Sequence, residues 1–227
     1  MKRLILLMIT CYCLLPGHAN TDIASDSLLQ VLQTLPHDTT RLSTLNDIIK
    51  IEQNNYKCIQ YSDTLMQEAL KLKNDKYASL AAYYHLLYYY NRSEQDSVAK
   101  WIVRMEPYVQ RSGLWDYFFD AQRFQIDLYT FTEQYELAIS EANKMKQKAL
   151  NTNSNRGTVA AYQCLSNAYI GSQRWDEGLK ALEEAYRLLP KKGNAVVHIS
   201  VLSQLISVTK EMKDNNRQLK YLQELES

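Results

Sequence analysis

From residue 25 onward, apolar residues recur at three- and four-residue spacing. Leu42, Leu45, Ile48 and Ile49 mark one stripe; Ile199, Leu202, Leu205 and Ile206 mark another. This is the period of a helix that buries one face. No stretch alternates apolar and polar residues between Asn-Gly or Asp-Gly turns, the sign of paired strands. The pattern predicts an all-α chain. Its breaks are few and sharp: Pro36-His37-Asp38-Thr39-Thr40, Ser112-Gly113, Asn151-Thr152-Asn153-Ser154-Asn155, and Pro190-Lys191-Lys192-Gly193-Asn194. Asp38 or Thr39 can cap the helix that follows. Between the breaks lie helices of roughly 12 to 20 residues joined by short turns, a string of helical hairpins without long crossovers. A short helix over residues 25–35 precedes them.

The hairpins repeat. Gln134-Tyr135-Glu136-Leu137-Ala138-Ile139 restates the turn and second-helix start found at Arg174 to Leu179. Anchored on Cys58, Ala99, Ala138, Gly178 and Gln218, five second helices recur at 41, 39, 40 and 40 residues. A repeat of this length describes a solenoid, in which each unit buries its apolar stripe against its neighbours.

One unit carries a specific resemblance. Tyr162, Leu165, Ser166 and Tyr169, then the turn Ser172-Gln173-Arg174, then Trp175, Gly178, Leu182, Ala185 and Pro190, follow the tetratricopeptide order W-x2-L-G-x2-Y, A-x3-F, P. Tyr162 stands for the first aromatic, Ser166 for the glycine, and Gly178 and Leu182 for the alanine and phenylalanine. Small residues at Ser166 and Gly178 let two antiparallel helices come close. Pro190 ends the second helix. The segment resembles the tetratricopeptide family, and the fold implied is an α-solenoid of about five antiparallel helical hairpins. The opening Leu35-Pro36-His37-Asp38-Thr39-Thr40-Arg41-Leu42 with this longer repeat is similar to the exported sensory domains of Bacteroides-type signalling regulators.

In tetratricopeptide arrays the first helix of each hairpin lines a concave groove for an extended peptide or a partner helix. Carried onto this sequence, the resemblance places Tyr84, Tyr88, Asn91 and Arg92 in that groove, then Arg123, Asp127 and Thr130, then Gln163 and Asn167. Amide and guanidinium donors beside phenols suit a peptide backbone or a carboxylate. Five tyrosines crowd residues 83–90. Tyr83 and Tyr90 are expected on the packing face between units.

The start of the chain reads differently. Lys2 and Arg3 precede an apolar run, Leu4 to Leu15, which Pro16 and Gly17 break, and Gly17-His18-Ala19 offers small residues for cleavage. Residues 1–19 are therefore expected to be a signal peptide cut after Ala19. The mature repeat domain, residues 20–227, would then be periplasmic. A membrane tether is expected only if the natural chain continues past Ser227. Removing Lys2 and Arg3 with no acid moves the formal net charge from +1 to −1. A near-neutral chain with no basic block argues against nucleic acid and anionic membrane as partners.

Candidate chemistry is thin. No His-Glu-x-x-His, paired-cysteine motif, glycine-rich phosphate loop or Gly-x-Ser-x-Gly elbow occurs. Cys58 and Cys164 fall in distant units and read as two separate small apolar side chains. The expectation is a non-catalytic module with no metal and no cofactor, whose partner is a protein or peptide. Its role would be the sensory or interaction part of a signalling protein. The alternative is a structural scaffold of the cell envelope that self-associates through its C-terminal end.

Overall fold

The computed structural model describes residues 18–52, 55–190 and 195–226, with side chains from residue 25 onward. Among these residues every regular element is an α-helix: α1 (His18–Thr34), α2 (Thr39–Glu52), α3 (Lys57–Lys71), α4 (Asp75–Tyr90), α5 (Gln95–Ser112), α6 (Trp115–Phe131), α7 (Tyr135–Asn151), α8 (Asn155–Gly171), α9 (Trp175–Leu188), α10 (Ala195–Glu211) and α11 (Asn215–Glu226). The expected hairpins are α2–α3, α4–α5, α6–α7, α8–α9 and α10–α11. The helix expected over 25–35 runs from His18 to Thr34. The leader expectation falls largely on residues 1–17, outside the described residues.

The turns explain the period. Lys73, Ser93, Gly113, Glu133, Asn153, Gln173 and Lys213 all have positive φ, between 51° and 75°. They lie on one 20-residue ladder, so each helix with its turn occupies 20 residues and each hairpin 40. Six of the seven close the preceding helix in the same way. The residue after the left-handed one donates its N–H five positions back, as Asn74 does to Ala69 (2.8 Å), Gln134 to Tyr129 (2.8 Å) and Arg174 to Tyr169 (2.8 Å). That closure satisfies carbonyls the helix end would otherwise orphan. At several turns the next residue then caps the following helix. The Asn74 side chain accepts from the Tyr77 N–H, Ser154 from Gly157, and Asp214 from Arg217. A three-residue turn thus ends one helix and starts another.

Among the described residues, Gly113 alone meets the left-handed requirement without a Cβ. A left-handed backbone costs an L-residue roughly 1–2 kcal/mol, partly offset in glycine by its greater unfolded freedom. Gln173→Gly is therefore expected to stabilise the fold by about 0.5–1 kcal/mol, read as a rise in the urea midpoint at unchanged slope. A fall would show that the Gln173 side chain contributes more than its backbone costs.

Burial follows the 40-residue frame. In the first helices Ala81, Ala121 and Ala161 are fully buried. In the second helices Cys58, Val98 and Ala138 are buried, as is Gly178. At the crossing of α8 and α9, a Cβ on Gly178 would lie 2.7 Å from the Ile170 side chain and 3.4 Å from the Ser166 carbonyl. The small residues there hold the helices close, as the sequence implies. One core cluster runs from α1 into α8 and is joined by Ala181; a second joins Val159 to α9, α10 and Tyr221 of α11. The result is an α-solenoid whose helices pack on their chain neighbours.

First helices also touch across units: α2 on α4, α4 on α6, and α6 on α8. Among the described residues no comparable packing joins α3 to α5, α5 to α7 or α7 to α9. Helices that meet lie on the inside of a curve, and helices that splay lie on the outside. The first helices therefore line the concave side.

Candidate functional site: the concave face of the first helices

Positions 40 apart are equivalent, and this fixes which side chains share the concave face. Tyr83, Arg123, Gln163 and Ser203 occupy one column. Leu87, Asp127, Asn167 and Ser207 occupy the next, one helical turn on. Of the residues expected in the groove, Arg123, Asp127, Gln163 and Asn167 thus sit in matching places on α6 and α8.

The α4 residues do not match. Tyr84 is buried, and its hydroxyl donates to the Asn46 side-chain oxygen of α2 at 2.9 Å. The reason is a register error of one residue. The turns Ser93 and Glu133 are 40 apart, so the equivalent of Ala138 is Val98, fully buried, rather than half-buried Ala99. One residue is about 100° of helix, enough to turn a groove position into a core position. Tyr83 takes the place that had been given to Tyr84. Tyr88 is half-buried in the column of Leu128 and Ala168, with the Arg92 guanidinium 3.5 Å from its ring centre. Asn91 caps the C-terminus of α4 and Arg92 lies in the turn, so both stand at the rim.

Around Arg123 the side chains form a distinct cluster. Tyr90 packs on Phe124 with ring centres 4.5 Å apart, Tyr83 meets Tyr117 at 5.0 Å, and Tyr83 lies 6.4 Å from Phe124. These rings make an aromatic floor. The Arg123 guanidinium lies 5.4 Å from the Phe124 ring centre. Its Nε is buried and has no hydrogen-bond partner. Asp120 and Asp127 flank it on the same helix, one turn to either side. Asp120 accepts a hydrogen bond from Arg156 of α8 at 2.7 Å, yet desolvation still raises its carboxyl. The Asp127 carboxyl is pushed up to about 6 by desolvation, with Arg123 pulling it partly back. Burial likewise pushes the Tyr83 phenol up to about 12.

Two other polar groups on this face are engaged. Thr130 donates to the Ile126 carbonyl at 3.0 Å, and Gln163 donates to Gln204 of α10 at 3.2 Å. The Arg123 Nε–H is buried without a partner, and the Asp127 carboxyl beside it is desolvated. Buried polar groups are normally paired, and those that are not stand out as places a ligand could satisfy. Tyr83 and Tyr90 of α4 pack against Phe124 of α6, between units as expected, and with Asp120 they border this cluster. The exact recurrence of the turn positions is the signal that would have placed them there.

Elsewhere, buried His85 stacks on Trp101 with ring centres 4.0 Å apart, and its Nε2 lies 3.1 Å from an Asp63 carboxylate oxygen. Asp63 is on α3 and Trp101 on α5, so this pair serves packing between hairpins. Cys58 and Cys164 are both buried and unbridged.

No family model matches the chain, and no curated protein matches it. Among solved structures it is similar to the crystal structure of BtubC (BKLC) from P. vanneervenii, at 12% identity and a TM-score of 0.67 over 92% of this chain and 87% of that one. At that identity the likeness is one of fold: an all-helical array of stacked hairpins.

Proposed function

We propose that the chain is a tetratricopeptide-type recognition module without chemistry of its own. Its concave face receives an extended protein or peptide segment, as the exported sensory or interaction part of a signalling protein. The observation that carries this reading is the Arg123–Asp127 cluster, a guanidinium and a carboxyl held on an aromatic floor without enough partners. An extended backbone offers alternating carbonyls and N–H groups. Neighbouring helices pack about 8–10 Å apart, close to three residues of extended chain at about 3.3 Å each. A strand crossing α4, α6 and α8 would thus meet Tyr83, Arg123 and Gln163 in turn. The tetratricopeptide order around Trp175 and the basic-apolar opening of the chain support the family and the exported location.

Selection of displayed random 12-residue peptides on the chain tests the reading. Peptides are expected to enrich and to lose about tenfold or more in affinity on Arg123→Ala. Failure to enrich, or enriched peptides that bind Arg123→Ala equally well, would reject the concave face as the site.

A further inference from the structure

Arg123 and Asp127 lie one helical turn apart on α6 and carry opposite charges. The acids on the other side of Arg123 are already matched: Arg156 of α8 holds Asp120 at 2.7 Å and lies 3.9 Å from Asp116. The Arg123 Nε is buried with no hydrogen-bond partner, so no bond through that atom joins it to Asp127. Burial acts on the Asp127 carboxyl against the pull of Arg123, and no hydrogen bond takes part. Beside them the Tyr90 and Phe124 rings lie 4.5 Å apart with their planes at 31°. The site thus offers a donor, an acceptor and a flat apolar wall.

Charge balance limits what fits. A carboxylate suits Arg123 but lies against Asp127. An ammonium or guanidinium group suits Asp127 but lies against Arg123. Either sets a like-charge contact against its one new ion pair, in a site short of water. A neutral group that accepts at one end and donates at the other meets both residues without that conflict. A hydroxyl does so through a single atom and has no flat face. A primary carboxamide does so through two atoms in one plane. Backbone amides carry the same atoms but occur in every peptide, so they give affinity without choosing a sequence.

We propose that the Arg123–Asp127 pair selects a primary carboxamide, an asparagine or glutamine side chain of the bound segment, whose carbonyl accepts from Arg123 and whose amide N–H donates to Asp127. This rests on the concave face as the peptide site and names what that site reads. The planar amide lies along the Tyr90–Phe124 wall.

Displayed random 12-residue peptides selected on the chain at pH 7.5 serve as the probe. Enriched sequences are expected to share an asparagine or glutamine at one position. Exchanging that residue for its acid, aspartate or glutamate, should cost at least about tenfold in affinity at pH 7.5, because a second carboxylate then meets Asp127. The gap should narrow to about threefold or less at pH 5. Asp127, raised to about 6, then carries a proton and donates to the acid. Of the groups facing Asp127, Arg123 is a fixed charge, while burial raises Tyr90 of α4 and Cys164 of α8, so both stay neutral across this range. No charge on α5 or α7 acts on it. Because the peptide is varied and the protein is not, unfolding does not enter the comparison. Enriched peptides without a shared amide residue, an amide exchanged for leucine at no cost, or a gap unchanged from pH 7.5 to 5 would overturn the proposal and leave the concave face standing. No enrichment of any peptide would reject the concave face and this proposal with it.

Discussion

Glu68→Ala is expected to destabilise the chain by about 3 kcal/mol, near the lower end of what breaking a buried ion pair costs. Arg41 of α2 donates through Nε to both Glu68 oxygens of α3 at 2.9 Å, and its Nη1 donates to the Leu32 carbonyl of α1. The two side chains are only 16% and 11% exposed. The position is informative. Ala81, Ala121 and Ala161 stand at the equivalent place in later first helices, where an alanine lets a second helix close in. At the first hairpin an arginine takes that place and ties α1, α2 and α3 together. Removing Glu68 leaves a guanidinium largely out of water with one carbonyl for company. Arg41→Met with Glu68→Leu should recover most of the loss, because the site then needs no pairing. Urea melts of the single and double variants check this, and hydrogen exchange should show the loss concentrated in α1 to α3. A Glu68→Ala cost below about 0.5 kcal/mol would mean the pair is as weak as a surface one.

Asp127→Asn is expected to act in the opposite direction, stabilising the chain at neutral pH while weakening peptide binding. The folded carboxyl is raised from 3.8 to about 6 by desolvation. The folded chain thus holds a proton at pH values where the unfolded chain has released it, so ionisation of Asp127 costs folding energy above pH 6. Between 3.8 and 6 that cost shrinks as pH falls, and below 3.8 it is gone. The displacement corresponds to a cost of at most about 3 kcal/mol at pH 7.5. Asparagine, neutral throughout, should be the more stable variant at pH 7.5 and indistinguishable from wild type below pH 4. Melting midpoints across pH 3.5 to 8 give the comparison. A constant difference at all pH values would indicate repacking instead of ionisation. A destabilising cost retained on the proposed binding surface is the pattern expected where function and stability compete.

Much of the architecture was legible from spacing. The break Asn151 to Asn155 contains the left-handed Asn153, Gly113 closes α5, and the turn at Ser172 to Arg174 contains the left-handed Gln173. What was hidden is the regularity of the turns. Lys73, Ser93, Glu133, Gln173 and Lys213 adopt a conformation usually signalled by glycine. Without that signal the α4–α5 junction had to be anchored on a small apolar residue, and Val98-Ala99 offers two.

The one-residue slip was invisible within α4 because Tyr83-Tyr84 and Tyr88-Tyr89-Tyr90 look alike after a shift by one. In α6 and α8 the columns mix charged, amide and apolar residues, and there Arg123 and Gln163, like Asp127 and Asn167, fall 40 residues apart. The aromatic floor was legible as packing alone. Tyr83 and Tyr90 do pack between units, and their ring contacts with Phe124 put that packing directly beside Arg123.

The concave face as the binding surface is tested most directly by hydrogen exchange on the chain with and without a peptide recovered by selection. Added protection is expected in α4, α6 and α8, centred on the turn of helix between Arg123 and Asp127, with α5, α7 and α9 unchanged. Protection confined to the second helices, or to α11 alone, would contradict it.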